Sequence, residues 1–355
     1  MRLYACDACG QTVHFDNRSC VNCGHRLGFV PERMAVHALE PTPEGGLRLV
    51  DDPAVGVRLC ANAGLDICNW TVPAGGTEEY CTACHHNRLV PNTDTQEGVE
   101  RWRRIGQAQR HLFYSLLKLG LPHPNREEDP QGGLVFDFLE DQVDPSGNTV
   151  AAMTLHDEGR IAIRAAEADD AVRVQARQYV NEPYRTMLGH FRHETGHFIW
   201  NKLVRDAGRL EECRAVFGDE RADYAEALQF HYENGPPFGW QQSYISAYAT
   251  THPWEDFAEC FAHYLHIADT LETAHAFGIA IDPGGHEGMA VAVAFDPYRA
   301  ASAAQLVEAW VPLSVAINSL QRSLGENDIY PFVLTPEVTA KLEYIHRLVQ
   351  GTPRE

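Results

Sequence analysis

The stretch His190-Phe191-Arg192-His193-Glu194-Thr195-Gly196-His197-Phe198-Ile199-Trp200 decides how the rest of the chain is read. It holds His-Glu-x-x-His in an apolar setting, inside a segment whose periodicity predicts a helix over 183–206. Residues four apart share a helical face about 6 Å apart, so the imidazoles of His193 and His197 reach one metal ion. Glu194 is turned about 100° from His193, toward a water on that metal, and is the candidate general base. His190 lies one turn before His193 on the same face and is read as neither a metal ligand nor a group that supports a ligand or faces substrate. Two surface histidines on an ordinary helix would leave the apolar surroundings unexplained.

A third ligand is needed, and its identity sorts the subclasses. The longer pattern HExxHxxGxxH would require Gly at 200 and His at 203; Trp200 and Leu203 stand there, which excludes that class. A carboxylate from a second helix remains. The candidate stretch runs from Tyr248 through Pro253-Trp254-Glu255-Asp256-Phe257-Ala258-Glu259-Cys260-Phe261-Ala262, with Pro253 suited to a first helical turn and a helix expected over 254–277. Glu255 and Glu259 share one face of it, beside an apolar side made by Phe257, Phe261 and Leu265. Two such carboxylates are costly to bury unless they meet a cation. Glu255 on the metal and Glu259 on a ligand's imidazole N–H would satisfy both, although helical spacing alone allows either order.

Upstream, Cys6-x2-Cys9 and Cys20-x2-Cys23 give four thiolates at the spacing of tetrahedral structural zinc, in a segment too poor in apolar residues to fold otherwise. Cys60, Cys68, Cys81 and Cys84 form a second set with a wider first gap, where His85 or His86 could replace one thiolate. Both sets have four protein ligands, so neither is catalytic. Cys213 and Cys260 stand alone in helical segments and read as small buried hydrophobes. The cofactors expected are thus one catalytic and two structural Zn2+.

The organisation that follows is a zinc ribbon at 1–28, a Pro/Gly/acid-rich connector at 29–57, a second cysteine module at 58–92 and a catalytic domain at 93–355. Residues 134–139, 150–155 and 160–164 read as strands of a small antiparallel meander. Further helices are expected over 99–119, 168–180, 219–234, 302–324 and 336–349. The fold class is therefore α+β: zinc ribbons ahead of a mostly helical, zincin-like domain with a small antiparallel sheet.

The chain has 355 residues, 44% apolar and 22% charged, with a net charge of −20. That charge disfavours nucleic acid and anionic lipid as partners, although residues 1–35 are nearly balanced. No run reaches membrane-spanning length, and Met1-Arg2-Leu3-Tyr4-Ala5-Cys6-Asp7 has no apolar signal core. Ten cysteines then imply a reducing, cytoplasmic setting.

HExxH followed by Tyr-x6-Glu-x-Phe-Ala-Glu-x-Phe resembles the gluzincin catalytic domain of the anthrax-lethal-factor type. The resemblance implies Glu255 as the third zinc ligand and Tyr248, seven residues before it, as the oxyanion donor; Tyr244 fits that spacing less well. The whole chain, including Phe217-Gly218-Asp219-Glu220-Arg221-Ala222-Asp223-Tyr224, is also similar to a bacterial family of zinc-binding metallopeptidases with an N-terminal zinc ribbon. Asp219, Glu220 and Asp223 either orient ligand histidines or form an exposed, salt-bridged face. The activity implied is hydrolysis of peptide or isopeptide amides in a peptide or protein substrate, by a metal-activated water with Glu194 as base. The alternatives are a zinc-ribbon binding or regulatory protein with a vestigial metal site, and a nucleic-acid-binding ribbon factor. Intact His193, Glu194, His197, Glu255 and Tyr248 argue against the first, and the acidic charge against the second.

Overall fold

Four cysteines in a segment with little apolar surface fold around a common point, and the N-terminal residues of the computed structural model do so. The structure describes residues 2–152, 154–173 and 186–351. Strands β1 (Tyr4–Ala5) and β2 (Thr12–Val13) pair antiparallel, with Cys6 and Cys9 in the turn between them. Gly10 and Gly24 close the two knuckles at φ 75, a left-handed conformation that glycine adopts without a Cβ clash. Their N–H groups donate to the carbonyls of Cys6 and Cys20.

The chain forms two units by contact: Met1–Lys118 with His123–Asp170, and Leu119–Pro122 with Ala171–Glu355. In the first, β3 (Arg26–Val30), β4 (Ala35–Pro41), β5 (Leu47–Leu49), β6 (Gly56–Leu59) and β7 (Thr71–Pro73) form an antiparallel sheet in sequence order. About half of the segment 29–57, expected as a connector, is thus strand of this sheet. Its turns are rich in Pro, Gly and acids, while each strand supplies only a few inward residues. Val30, Leu39, Leu49 and Val57 make one buried apolar cluster from four different strands.

After β8 (Asn87–Leu89) comes α1 (Gln96–Leu119), whose arginines meet acids of the same unit: Arg101 with Glu97, Glu140 and Asp169, and Arg110 with Asp16. Strands β9 (Val135–Leu139), β10 (Gln142–Val143), β11 (Thr149–Val150), β12 (Leu155–Asp157) and β13 (Arg160–Arg164) follow. The expected antiparallel meander is corrected here. β9 runs parallel to both β8 and β13, and only β12–β13 and the β10–β11 hairpin are antiparallel. The buried Asp137 of β9 accepts from Arg88 and Arg160, one on each parallel neighbour, at 2.8 Å through each Nε.

The second unit is helical: α2 (Met187–Trp200), α3 (Leu210–Phe217), α4 (Tyr224–Asn234), α5 (Pro253–Ala276), a two-strand ribbon β14 (Ala280–Ile281) and β15 (Val291–Ala292), α6 (Ala303–Ser323) and α7 (Pro336–Gln350). Thr186, Asp223, His252, Ser302 and Thr335 cap α2, α4, α5, α6 and α7 by accepting a backbone N–H each. α2 continues into a wider turn over Asn201–Arg205. The helix expected over 168–180, and the start of that over 183–206, lie partly outside the described residues. α5 is buried nearly end to end and forms the core against which α2, α6 and α7 pack.

One close approach governs the α2–α5 pair. A Cβ on Gly196 would lie 2.9 Å from Ala258 Cα and 3.1 Å from its carbonyl oxygen. Only a glycine lets the two backbones meet there. Among the described residues no helix is long and apolar enough to cross a membrane.

Candidate active site

The backbone contact at Gly196 brings the two motif helices together at their polar residues. His193 and His197, one turn apart on α2, have ring centroids 4.9 Å apart and planes at 89°. Glu255, near the start of α5, is 1% exposed. Its Oε2 lies 2.9 Å from His193 Nε2 and 3.4 Å from His197 Nε2. That oxygen is buried, yet it receives no well-aligned hydrogen bond from either ring. Three ligand-type atoms thus converge on one another, an arrangement that a shared cation satisfies and a proton satisfies poorly. Burial alone would lower the pKa of His193, but the neighbouring Glu255 and Glu259 carboxylates push it well above the ordinary imidazole range. The cluster calls for positive charge.

Glu259, one turn along α5, faces the other side of the same ring. Its Oε1 is 2.7 Å from His193 Nδ1, and its Oε2 accepts from Ser246 Oγ at 2.6 Å. Ser246 Oγ in turn accepts from Ala249 N, tying the loop before α5 to the site. Trp254 packs on His197 with centroids 3.8 Å apart.

Glu194 is buried with Oε1 3.3 Å from His190 Nε2. Desolvation raises its pKa, but the hydrogen bond and charge of His190, with His193 and His197 beyond, bring it down to about 2. The carboxylate is therefore held in its ionised form. His190 contacts Glu194 and stands outside the group formed by His193, His197 and Glu255.

Tyr248 lies with its ring 5.8 Å from that of His193. Burial, then the nearby Glu255 carboxylate, push its pKa well above the ordinary phenol range, so it keeps its proton. Tyr244 sits elsewhere, its ring 4.1 Å beneath the Lys341 ammonium, which also pairs with Asp256. Asp219 and Glu220 are engaged by Arg221 and Arg214, and Asp223 caps α4, so these three acids do not orient the histidines. Two residues given no site role in the sequence reading join the site: Ser246, and Tyr224, whose Oη donates to Glu255 Oε1 at 2.8 Å.

Both cysteine sets close on themselves. Cys6–Cys23 and Cys9–Cys20 have Sγ–Sγ distances of 3.6 Å, and Cys68–Cys81 of 3.7 Å. A tetrahedron with ~2.3 Å Zn–S bonds has edges of roughly 3.8 Å. Backbone N–H groups of Trp70 and Cys81 donate to Cys68 and Cys60 Sγ, as thiolates require. His85 and His86 are not in the second set. His85 meets Glu78 and Glu127, and His86 meets the carbonyls of Thr82 and His123. Cys213 and Cys260 are buried singly.

Two four-cysteine clusters, and a further cluster of two histidines and a glutamate, are groups that could each hold a metal ion. Residues 98–348 match the family model described as "Putative zinc-binding metallo-peptidase", and the chain belongs to that family. Residues 3–95, which hold all eight ribbon cysteines, match a zinc-ribbon domain. The chain is 40% identical over 352 residues to uncharacterized proteins of Mycobacterium bovis and Mycobacterium tuberculosis, covering 98% of this chain and 95% of theirs. No solved structure matches.

Proposed function

We propose that the protein is a zinc-dependent hydrolase of peptide or isopeptide amides, a gluzincin in its ligand set. The observation that carries this reading is the convergence of His193 Nε2 and His197 Nε2 on the unbonded Glu255 Oε2. These three residues would hold the catalytic zinc, and Cys6, Cys9, Cys20, Cys23 and Cys60, Cys68, Cys81, Cys84 the two structural ions. Zinc at the first site supplies Lewis-acid polarisation of the scissile carbonyl and acidifies water. Glu194 takes the proton of the attacking water and delivers it to the leaving nitrogen. Tyr248 donates its hydroxyl to the developing oxyanion. Glu259 accepts the Nδ1 proton of His193, which fixes the tautomer that leaves Nε2 free. None of the ten cysteines is in a disulfide, which suits a reducing cytoplasm.

Elemental analysis of the purified chain should find about three zinc per molecule; one or none would remove the double-ribbon assignment. The zinc-loaded chain should cleave members of a mixed peptide pool, read as new termini by mass spectrometry. Cleavage should stop on chelation and return with zinc. Tyr248→Phe should keep its zinc and its KM, while kcat falls about 10²–10³-fold, the loss typical of one oxyanion donor. An unchanged kcat would take Tyr248 out of the chemistry.

A further inference from the structure

The fold treats the two oxygens of Glu255 differently. Oε2 faces both histidines, whereas Oε1 accepts the Tyr224 hydroxyl at 2.8 Å. Tyr224 is the first residue of α4, directly after the N-cap Asp223. Its ring lies against His252 and Trp254, at 5.4 and 6.1 Å between centroids. His252 is the N-cap of α5: it accepts from Trp254 N, and its Nε2 lies 3.1 Å from Ala222 O, two residues before Tyr224. The Tyr224 hydroxyl is therefore held by the starts of two helices that also fix its acceptor.

A carboxylate can meet a metal through one oxygen or two, and the second oxygen would fill a position that water or a substrate carbonyl needs. Catalytic zinc sites keep that position open. A phenol O–H on one oxygen holds it away from the metal and leaves the other to bind. We propose that Tyr224 is a positioning residue that restricts Glu255 to its Oε2 on the metal and so keeps the catalytic position open. The inference rests on the reading of His193, His197 and Glu255 as ligands.

The test uses the full chain with Co(II) in the catalytic site and zinc retained in both ribbons, verified by the absence of thiolate-to-cobalt charge-transfer absorption. Visible absorption of cobalt weakens as its coordination number rises. Tyr224→Phe removes one hydroxyl and keeps the ring packing, so the variant should fold and bind cobalt. Its visible band should lose intensity relative to the wild type, while Tyr248→Phe keeps the wild-type spectrum. A Tyr224→Phe spectrum equal to the wild type, or a loss no greater than that of Tyr248→Phe, overturns the inference and leaves the ligand assignment standing. A wild-type chain that takes up no cobalt dependent on His193 and His197 overturns both.

Discussion

Glu255→Ala should empty the catalytic site and lower the zinc content by one per chain, whereas Glu259→Ala should leave it loaded. The two residues share a helix face, and the difference lies in which imidazole nitrogen each one meets. Glu255 reaches Nε2 of both histidines, and Glu259 reaches only Nδ1 of His193. With the proposed ligand set, removing Glu255 takes away one of three protein ligands and leaves the two histidines to hold a cation alone. Removing Glu259 frees the His193 ring to turn, which weakens the metal by roughly 10–100-fold without abolishing its binding. Zinc content after dialysis, followed by competition with a chelator of known affinity, reads both. A full site in Glu255→Ala with an empty one in Glu259→Ala would exchange the two roles and remove the argument for Tyr248.

The second large effect is expected at Glu194. Glu194→Gln keeps the shape of the side chain and touches none of the three ligands, so zinc should stay bound. The amide cannot accept a proton, and hydrolysis should fall about 10²–10⁴-fold, the usual contribution of a positioned base. Turnover must be measured beside zinc content on the same sample. Near-wild-type turnover in a loaded Glu194→Gln chain would show that some other group moves the proton.

Much of this site was legible in the chain because it is written in local spacing. Four-residue intervals on α2 and α5 place His193, His197, Glu255 and Glu259 on two faces without reference to the rest of the fold. The knuckle cysteines are likewise a matter of short intervals. What stayed hidden depends on pairing across distance. Ser246 carries no motif and Tyr224 only closes the stretch Phe217 to Tyr224, with no role readable from it; each becomes part of the site only because a helix distant in sequence brings a glutamate to it. The sheet of 29–57 was obscured because its core is shared in single residues among four strands, so no one strand shows alternation. The parallel pairing of β9 joins strands that α1 and the β10–β12 segment separate in the chain, and strand periodicity is silent about direction.

The meeting of Gly196 and Ala258 also sets how the site answers to motion. Where two rods touch, tilting one moves each point on it in proportion to its distance from the fulcrum. His197 is one residue from Gly196 and His193 three; Glu259 is one residue from Ala258 and Glu255 three. At about 1.5 Å of rise per residue, all four lie within roughly 4.5 Å of the touching point along their axes. A rocking of either helix by about 10°, as an illustrative tilt, then shifts these residues by under about 1 Å. The far end of α5, which runs on to Ala276, swings several times farther. The four side chains are seated where the breathing of the surrounding helices is felt least.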